Sequence, residues 1–196
     1  MRAEDELAAV PAGASAVVSE ARRVSRALVE PLGRRWSHVK AVAARAAELV
    51  VPVPVARQDQ LIAAAWLHDV GYAPEIGRTG FHPLDGASYL NLEGWPDAIV
   101  NLVAHHSGAR FEAKQRGLAD ALAEFPFPDG PLLDALALAD LTTGPAGELL
   151  TYDERIAEIL RRYPEEDPVH QAWLEAEPVL RESVRRAEAR LEGGSA

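Results

Sequence analysis

Apolar residues recur at helical spacing along nearly the whole chain, and a run that alternates with a period of two is hard to find. The exception is the short stretch VVPVPV at residues 50–55, and its two prolines, Pro52 and Pro54, disqualify it as a central strand. A helix buries a stripe of its surface, so a chain made of helices alone closes a core only by packing them against one another. The expected fold is all-α. Helices are read at residues 15–31, 34–50, 55–70, 83–92, 96–106, 109–116, 131–143, 152–163 and 168–191. Gly33, the Pro52 and Pro54 pair and Gly71 punctuate them, and Pro83 sits at a first helical position, where its missing N–H costs nothing.

With 196 residues the chain is long enough for one well-cored domain, and neither a composition shift nor an internal repeat asks for two. A single domain over residues 1–196 is expected. Its apolar share of 48% against 26% charged residues lies far from the signature of disorder. The opening segment MRAEDELAAVPAGASAVVSE is acidic and lacks a continuous apolar centre, so it does not read as a secretory leader. No segment reaches the roughly 18 consecutive apolar residues of a membrane span. A cytoplasmic protein without a membrane partner is expected. A net charge of −10 disfavours stable nucleic-acid binding, which draws its affinity from displaced counterions. A small anionic substrate would need a local positive centre, and a bound dication is the strongest available. The C-terminal RESVRRAEARLEGG reads as a charged surface helix that packs on the domain and carries no chemistry.

The chain has no cysteine, so any metal must rest on histidine and carboxylate. His38 stands beside Val39, Val42, Ala43, Ala46 and Leu49, the apolar edge of one helix, where a satisfied core histidine would look the same. His68 and Asp69 end the apolar run QLIAAAWLHDVG, and a carboxylate after so buried a segment must be paired or metal-bound, unless it merely caps the helix at the surface. In PLLDALALADLTTG, Leu133, Leu136, Ala137 and Asp140 share one stripe, which puts a carboxylate on the core side of a helix holding no lysine or arginine. A cation from elsewhere is required, and a metal held jointly with His38, His68 and Asp69 would supply it.

The order of these elements, a histidine, His-Asp about thirty residues later and a distal aspartate in a helix ending ALAD, resembles the HD-domain superfamily of metal-dependent phosphohydrolases. LHDVGY is similar to that family's LHDIGK-type motif, and the resemblance runs from about Arg34 to Thr143. It implies an HD-domain helical bundle, with residues 152–191 as an additional C-terminal helical extension. His82 in FHPLDGASYL and the pair His105-His106 in AIVNLVAHHSG stand where members with two or more metals complete a second shell. The resemblance is thus to the binuclear subgroup, similar to cyclic-dinucleotide phosphodiesterases and diadenosine tetraphosphate hydrolases. It implies two divalent ions, iron, manganese or a similar metal. His38, His68, Asp69 and Asp140 would hold the first, and Asp69, His82 and His105 or His106 the second. Helical spacing with Ile99, Leu102 and Val103 favours His106; the resemblance favours His105, which ranks first here. Asp69 would bridge the ions and so share in activating the attacking water.

Some positions depart from the pattern. Tyr72 stands where many members carry a lysine that holds substrate phosphate, the GYP element is absent after SGARFEAKQRG, and Arg34 replaces the glutamate of a trinuclear site. Arg78, Thr79, Arg110, Thr142 and Thr143, close in sequence to the ligands, are the expected substrate contacts. Asp85 is expected to cap its helix or orient a ligand imidazole. His170 is expected at the surface. The expected activity is hydrolysis of a small phosphorylated metabolite, foremost a nucleotide. An HD-like di-iron oxygenase and a non-catalytic ligand-sensing module are compatible with the same ligand order.

Overall fold

The computed structural model describes residues 15–50, 53 and 55–193; the reading of the opening segment and of Pro52 and Pro54 lies outside them. Among the described residues ten α-helices follow one another: α1 (Ala16–Val29), α2 (Arg34–Glu48), α3 (Val55–Leu67), α4 (His82–Leu92), α5 (Asp97–His105), α6 (Ala109–Gln115), α7 (Ala119–Leu122), α8 (Pro131–Leu141), α9 (Tyr152–Arg162) and α10 (Pro168–Gly193). No strand occurs among the described residues, where the only β pairing is an isolated bridge between Thr143 and Leu149. The all-α expectation holds. No described helix is long and apolar enough to cross a membrane. The helical spacing did not reveal the one-turn α7 or the 3-10 turns at Glu30–Leu32, Val70–Tyr72 and His106–Gly108. Each is shorter than the period that such a pattern needs.

The centre of the molecule is α3, which packs on α1, α2, α5 and α8. Leu61, Leu67, Leu90, Leu102, Leu136 and Leu138 are sealed from solvent around it with Phe81. Each contributes about 1.5–3 kcal/mol by leaving water. In α8 every residue from Asp134 to Leu141 is buried, so the helix is enclosed on all sides. Two carboxylates go in with it, Asp134 and Asp140, and both need partners.

Asp134 finds them on α10: Arg186 donates to both of its oxygens and Arg190 Nη1 donates at 2.7 Å. The C-terminal helix therefore does more than lie on the surface. It neutralises a buried charge and clamps α8, which carries Asp140. At the opposite side, Gly71 brings the turn after Asp69 against the start of α4. A Cβ there would lie 1.9 Å from the His82 carbonyl oxygen, so only glycine lets Asp69 and His82 come together. A capping box, Thr151 with Glu154, starts α9 and sets its direction.

Candidate metal centre

Four imidazoles and two carboxylates converge where α2, the end of α3, α4, the end of α5 and α8 meet. His38 is buried on α2 and its Nδ1 faces the Gly144 carbonyl at 3.0 Å. His68 Nδ1 faces the Ala65 carbonyl at 2.8 Å, and His106 Nδ1 the Val103 carbonyl at 2.6 Å. A carbonyl accepts only, so each ring carries a proton on Nδ1; Nε2 of a neutral ring then keeps a lone pair, while His38 Nε2 shares a proton with Asp140 Oδ1 at 3.0 Å. All three Nε2 atoms point into one space.

Asp69 divides that space. Its Oδ2 lies 3.5 Å from His68 Nε2 and 4.0 Å from His38 Nε2, while its Oδ1 lies 3.5 Å from His82 Nε2. Two groups of ligand atoms result, His38, His68 and Asp69 on one side and Asp69, His82 and His106 on the other, each within 4.8 Å. Asp140 joins the first: its Oδ1 is 3.0 Å from His38 Nε2 and 3.9 Å from His68 Nε2. Its other oxygen accepts the Ser107 hydroxyl. Ser107 has φ 48° and ψ 38°, the one positive φ outside glycine among the described residues, and this turn swings its hydroxyl onto Asp140.

Whether a metal fits is decided by the orphaned atoms. His68 Nε2 is fully buried and has no hydrogen-bond partner, an acceptor sealed from water and aimed at two carboxylates. His82 Nε2 and His106 Nε2 face each other at 3.1 Å, where one proton at most can sit between them. Imidazoles oriented through Nδ1 by backbone carbonyls, with Nε2 atoms turned toward carboxylates, are the arrangement that divalent transition ions require. The residues fit the group.

The electrostatics agree. Burial alone would raise the pKa of Asp69, but the surrounding His68, Arg35, His82 and His38 outweigh it and hold the group far below the usual carboxylate range. Asp140 is likewise held low against its burial, chiefly by the hydrogen bond with His38. Burial pushes His82 and His106 down, which favours the neutral rings that a metal needs. Burial also opposes the charged form of His38, but Asp140 and Asp69 win and raise it.

His105, ranked above His106 on the sequence, turns the other way. Its Nε2 is 2.8 Å from the Phe125 carbonyl and its ring stands edge-on to Phe127. Adjacent residues on a helix are about 100° apart, so only one of the two can face the cluster. The apolar stripe, which pointed to His106, was the better guide. Asp85 orients no imidazole; it accepts the backbone N–H groups of Thr79 and Gly80 and the Thr79 hydroxyl, and so ties down the loop before α4. His170 is half-buried away from the cluster, with Nδ1 at 2.9 Å from the Tyr163 carbonyl.

Beside the cluster a cleft of about 190 Å³ opens, lined by Arg35, Arg116, Arg155 and Arg162 against Asp69, Glu112 and Asp140, with His38, His82 and His106 at its floor. None of the five expected substrate contacts lines it. Arg78 stays on the exposed loop, and Thr79 is spent on Asp85. Arg110 lies over Phe111 and Phe127, on the side to which His105 turns. Thr142 and Thr143 are buried and return their hydroxyls to the Leu138 and Ala139 carbonyls. Closeness in sequence to a ligand was the wrong criterion.

Arg35 was overlooked, although it precedes His38 by three residues and so shares its helix face. Its Nη1 donates to Asp69 Oδ2 at 2.6 Å, and its guanidinium lies 3.5 Å over the Tyr72 ring. Tyr72 in turn stacks on His82 at 3.9 Å between ring centres. The place where the resemblance expects a lysine is therefore filled by a tyrosine that carries an arginine. The far wall comes from the C-terminal helices, Arg155, Ile159 and Arg162 on α9 and Val169 and Trp173 on α10, joined by Tyr163. No residue of RESVRRAEARLEGG, the segment expected to carry no chemistry, lines the cleft; the wall comes from the helical residues before it. Arg155, Ile159 and Arg162 recur at helical spacing, a signal the sequence did hold.

The family model of the HD domain matches residues 35–140, more than half of the chain. No curated protein and no solved structure matches.

Proposed function

The chain belongs to the HD domain family, and from that premise we propose that it is a metal-dependent phosphohydrolase of a small phosphorylated metabolite, foremost a nucleotide, working with two divalent ions. The observation that carries this reading is Asp69, whose two oxygens face two separate groups of histidines. His38, His68, Asp69 and Asp140 would hold one ion, and Asp69, His82 and His106 the other. When bound, the ions supply a water deprotonated near neutral pH and positive charge at the attacked phosphoryl group.

The rest falls to the chain's own residues. Backbone carbonyls at Gly144, Ala65 and Val103 fix His38, His68 and His106. Ser107 restrains one oxygen of Asp140 and leaves the other toward His38. Four arginines line the cleft with Asp69, Glu112 and Asp140, and Glu158 behind it pairs with two of them, so the positive centre for a phosphate on a protein of net charge −10 would come from the bound ions, with the arginines as donors. Tyr163 and Trp173 offer aromatic surface for a flat ring such as a nucleobase, with Ile159 and Val169 beside them. Iron and manganese both suit such ligands.

Anaerobic turnover of a panel of nucleotides and phosphomonoesters by protein loaded with manganese tests the reading. Phosphate or nucleoside monophosphate should be released, and chelator should abolish the release. No release from any member, alongside substrate-dependent oxygen uptake by the iron-loaded protein in air, would replace hydrolysis with the di-iron oxygenase. Lack of both, with metal bound, would leave a ligand-sensing module.

A further inference from the structure

The far wall of the cleft lies outside the matched family segment, which ends at residue 140. Its charges do not balance. Glu158 is one carboxylate shared by two guanidinium groups: Arg155 Nη1 donates to Oε2 at 2.6 Å, while Arg162 donates through Nε and Nη2 to Oε1. One positive charge is left over. Arg155 is 8% exposed, and its Nε is buried without a partner. A guanidinium cannot shed its proton at any working pH, so desolvating one with a half-share of a carboxylate is costly unless a further anion arrives. Asp140 feels the charge of Arg155 through space, but neither Asp140 nor Asp69 accepts a hydrogen bond from it among the described residues, so the Nε donor stays unpartnered.

Resting on the phosphohydrolase reading, we propose that Arg155 and Arg162 on α9 form a second anion subsite, which holds a phosphate or carboxylate of the substrate other than the phosphoryl group attacked at the metal cluster. The reacting group is served by the cluster and by Arg35, which sits on Asp69. The arginines of α9 line the same cleft from a different element, with Ile159 between them in sequence and Glu158 as their shared carboxylate, and would meet a second anionic group of the substrate. The substrate class is then an organic compound with two anionic groups, and a simple monoester fills half of the site. Arg155 and Arg162 are positioning residues in this scheme.

A matched pair of probes tests it: butyl phosphate, and butane bisphosphate with a phosphate at each end, titrated calorimetrically into manganese-loaded protein. The native chain should bind the bisphosphate about tenfold tighter, the worth of one charge-assisted contact. Arg155→Gln and the more exposed Arg162→Gln should each lose about that tenfold for the bisphosphate and change butyl phosphate by less than about twofold. Metal content and melting temperature, measured alongside, should stay near native at least in Arg162→Gln, so a folding defect in one variant does not decide the matter. Equal affinity of the native protein for both probes overturns the subsite. So does an equal loss of both probes in a well-folded variant, which would put these arginines at the reacting phosphate. If the native protein binds neither probe, the phosphohydrolase reading falls and takes the subsite with it.

Discussion

The two walls of the cleft are built on different principles. On the cluster side, short side chains are held from both ends: His38, His68 and His106 each spend Nδ1 on a backbone carbonyl, and Asp140 is restrained by Ser107. On the α9 side, long arginines share one carboxylate and keep donors in reserve. The first design fixes geometry to fractions of an ångström, as metal coordination demands. The second tolerates ligands of different shape, because a long side chain can follow its anion. The matched segment covers the first wall only. The candidate metal ligands therefore fall within the matched family segment, and on the proposal above the choice of substrate would rest on helices that the match does not reach.

Substitution at Asp69 should give the largest effect, since it is the residue on which both halves of the cluster depend. Asp69→Asn keeps the volume but removes the charge facing His68, His38 and His82. It also leaves Arg35 without its carboxylate. Metal analysis of the purified variant should find both ions lost and the helical circular dichroism retained. Turnover should fall by more than the roughly hundredfold seen when only the outer partner of a ligand is removed. Full metal content in this variant would contradict the bridge.

The adjacent histidines allow a sharper test, because one faces the cluster and the other faces away. His106→Ala should lower the metal content by about one ion per chain, from the group of Asp69, His82 and His106. His105→Ala should leave the metal content unchanged and cost about 1–3 kcal/mol of stability, as the Phe125 carbonyl loses its partner. The reverse pattern would restore the order of preference read from the sequence.

Most of the fold was legible because its signals are local. Helical periodicity located the long helices, and His38, His68, Asp69 and Asp140 stood out as polar residues on apolar stripes. The second wall was not legible in the same way. Arg155, Ile159 and Arg162 recur at helical spacing on α9, but nothing local says that this stripe lines the same cleft as the metal cluster. Thr142 and Thr143 mislead for the complementary reason: they follow a ligand in sequence, but at the end of a helix a threonine readily returns its hydroxyl to the carbonyl four residues back. The partner of Asp140 was sought as a cation, and the structure adds a neutral donor, Ser107, whose backbone conformation no local pattern announces.

The clamp between α8 and α10 links the two walls, and its loss should be felt as stability before it is felt as chemistry. Asp134 is sealed, while Arg186 and Arg190 are a third or more exposed and regain water when the pair is broken. Asp134→Asn should therefore cost about 1.5–3 kcal/mol of unfolding free energy in denaturant titration, the range for hydrogen bonds to charged groups. Metal content should remain native, because Asp140 lies almost two turns further along α8. Loss of metal without loss of stability would show that α10 acts on the cluster directly.

Ser107 gives the smallest effect and the finest division between backbone and side chain. Its hydroxyl steadies Asp140, while its left-handed conformation costs an ordinary residue about 1–2 kcal/mol. Ser107→Ala removes the hydroxyl and keeps the strain, whereas Ser107→Gly removes both and pays about 0.4–1 kcal/mol through the greater freedom of its unfolded chain. The glycine variant should then be the more stable of the two by about 0.5–1 kcal/mol. Both should bind manganese about tenfold more weakly than the native protein, because each leaves Asp140 with one oxygen unrestrained. If the glycine variant bound metal as tightly as the native chain, the hydroxyl would be a consequence of the turn and not a support of the site. If the alanine variant alone lost metal, the backbone, relaxed by glycine, would be what holds His106 in place.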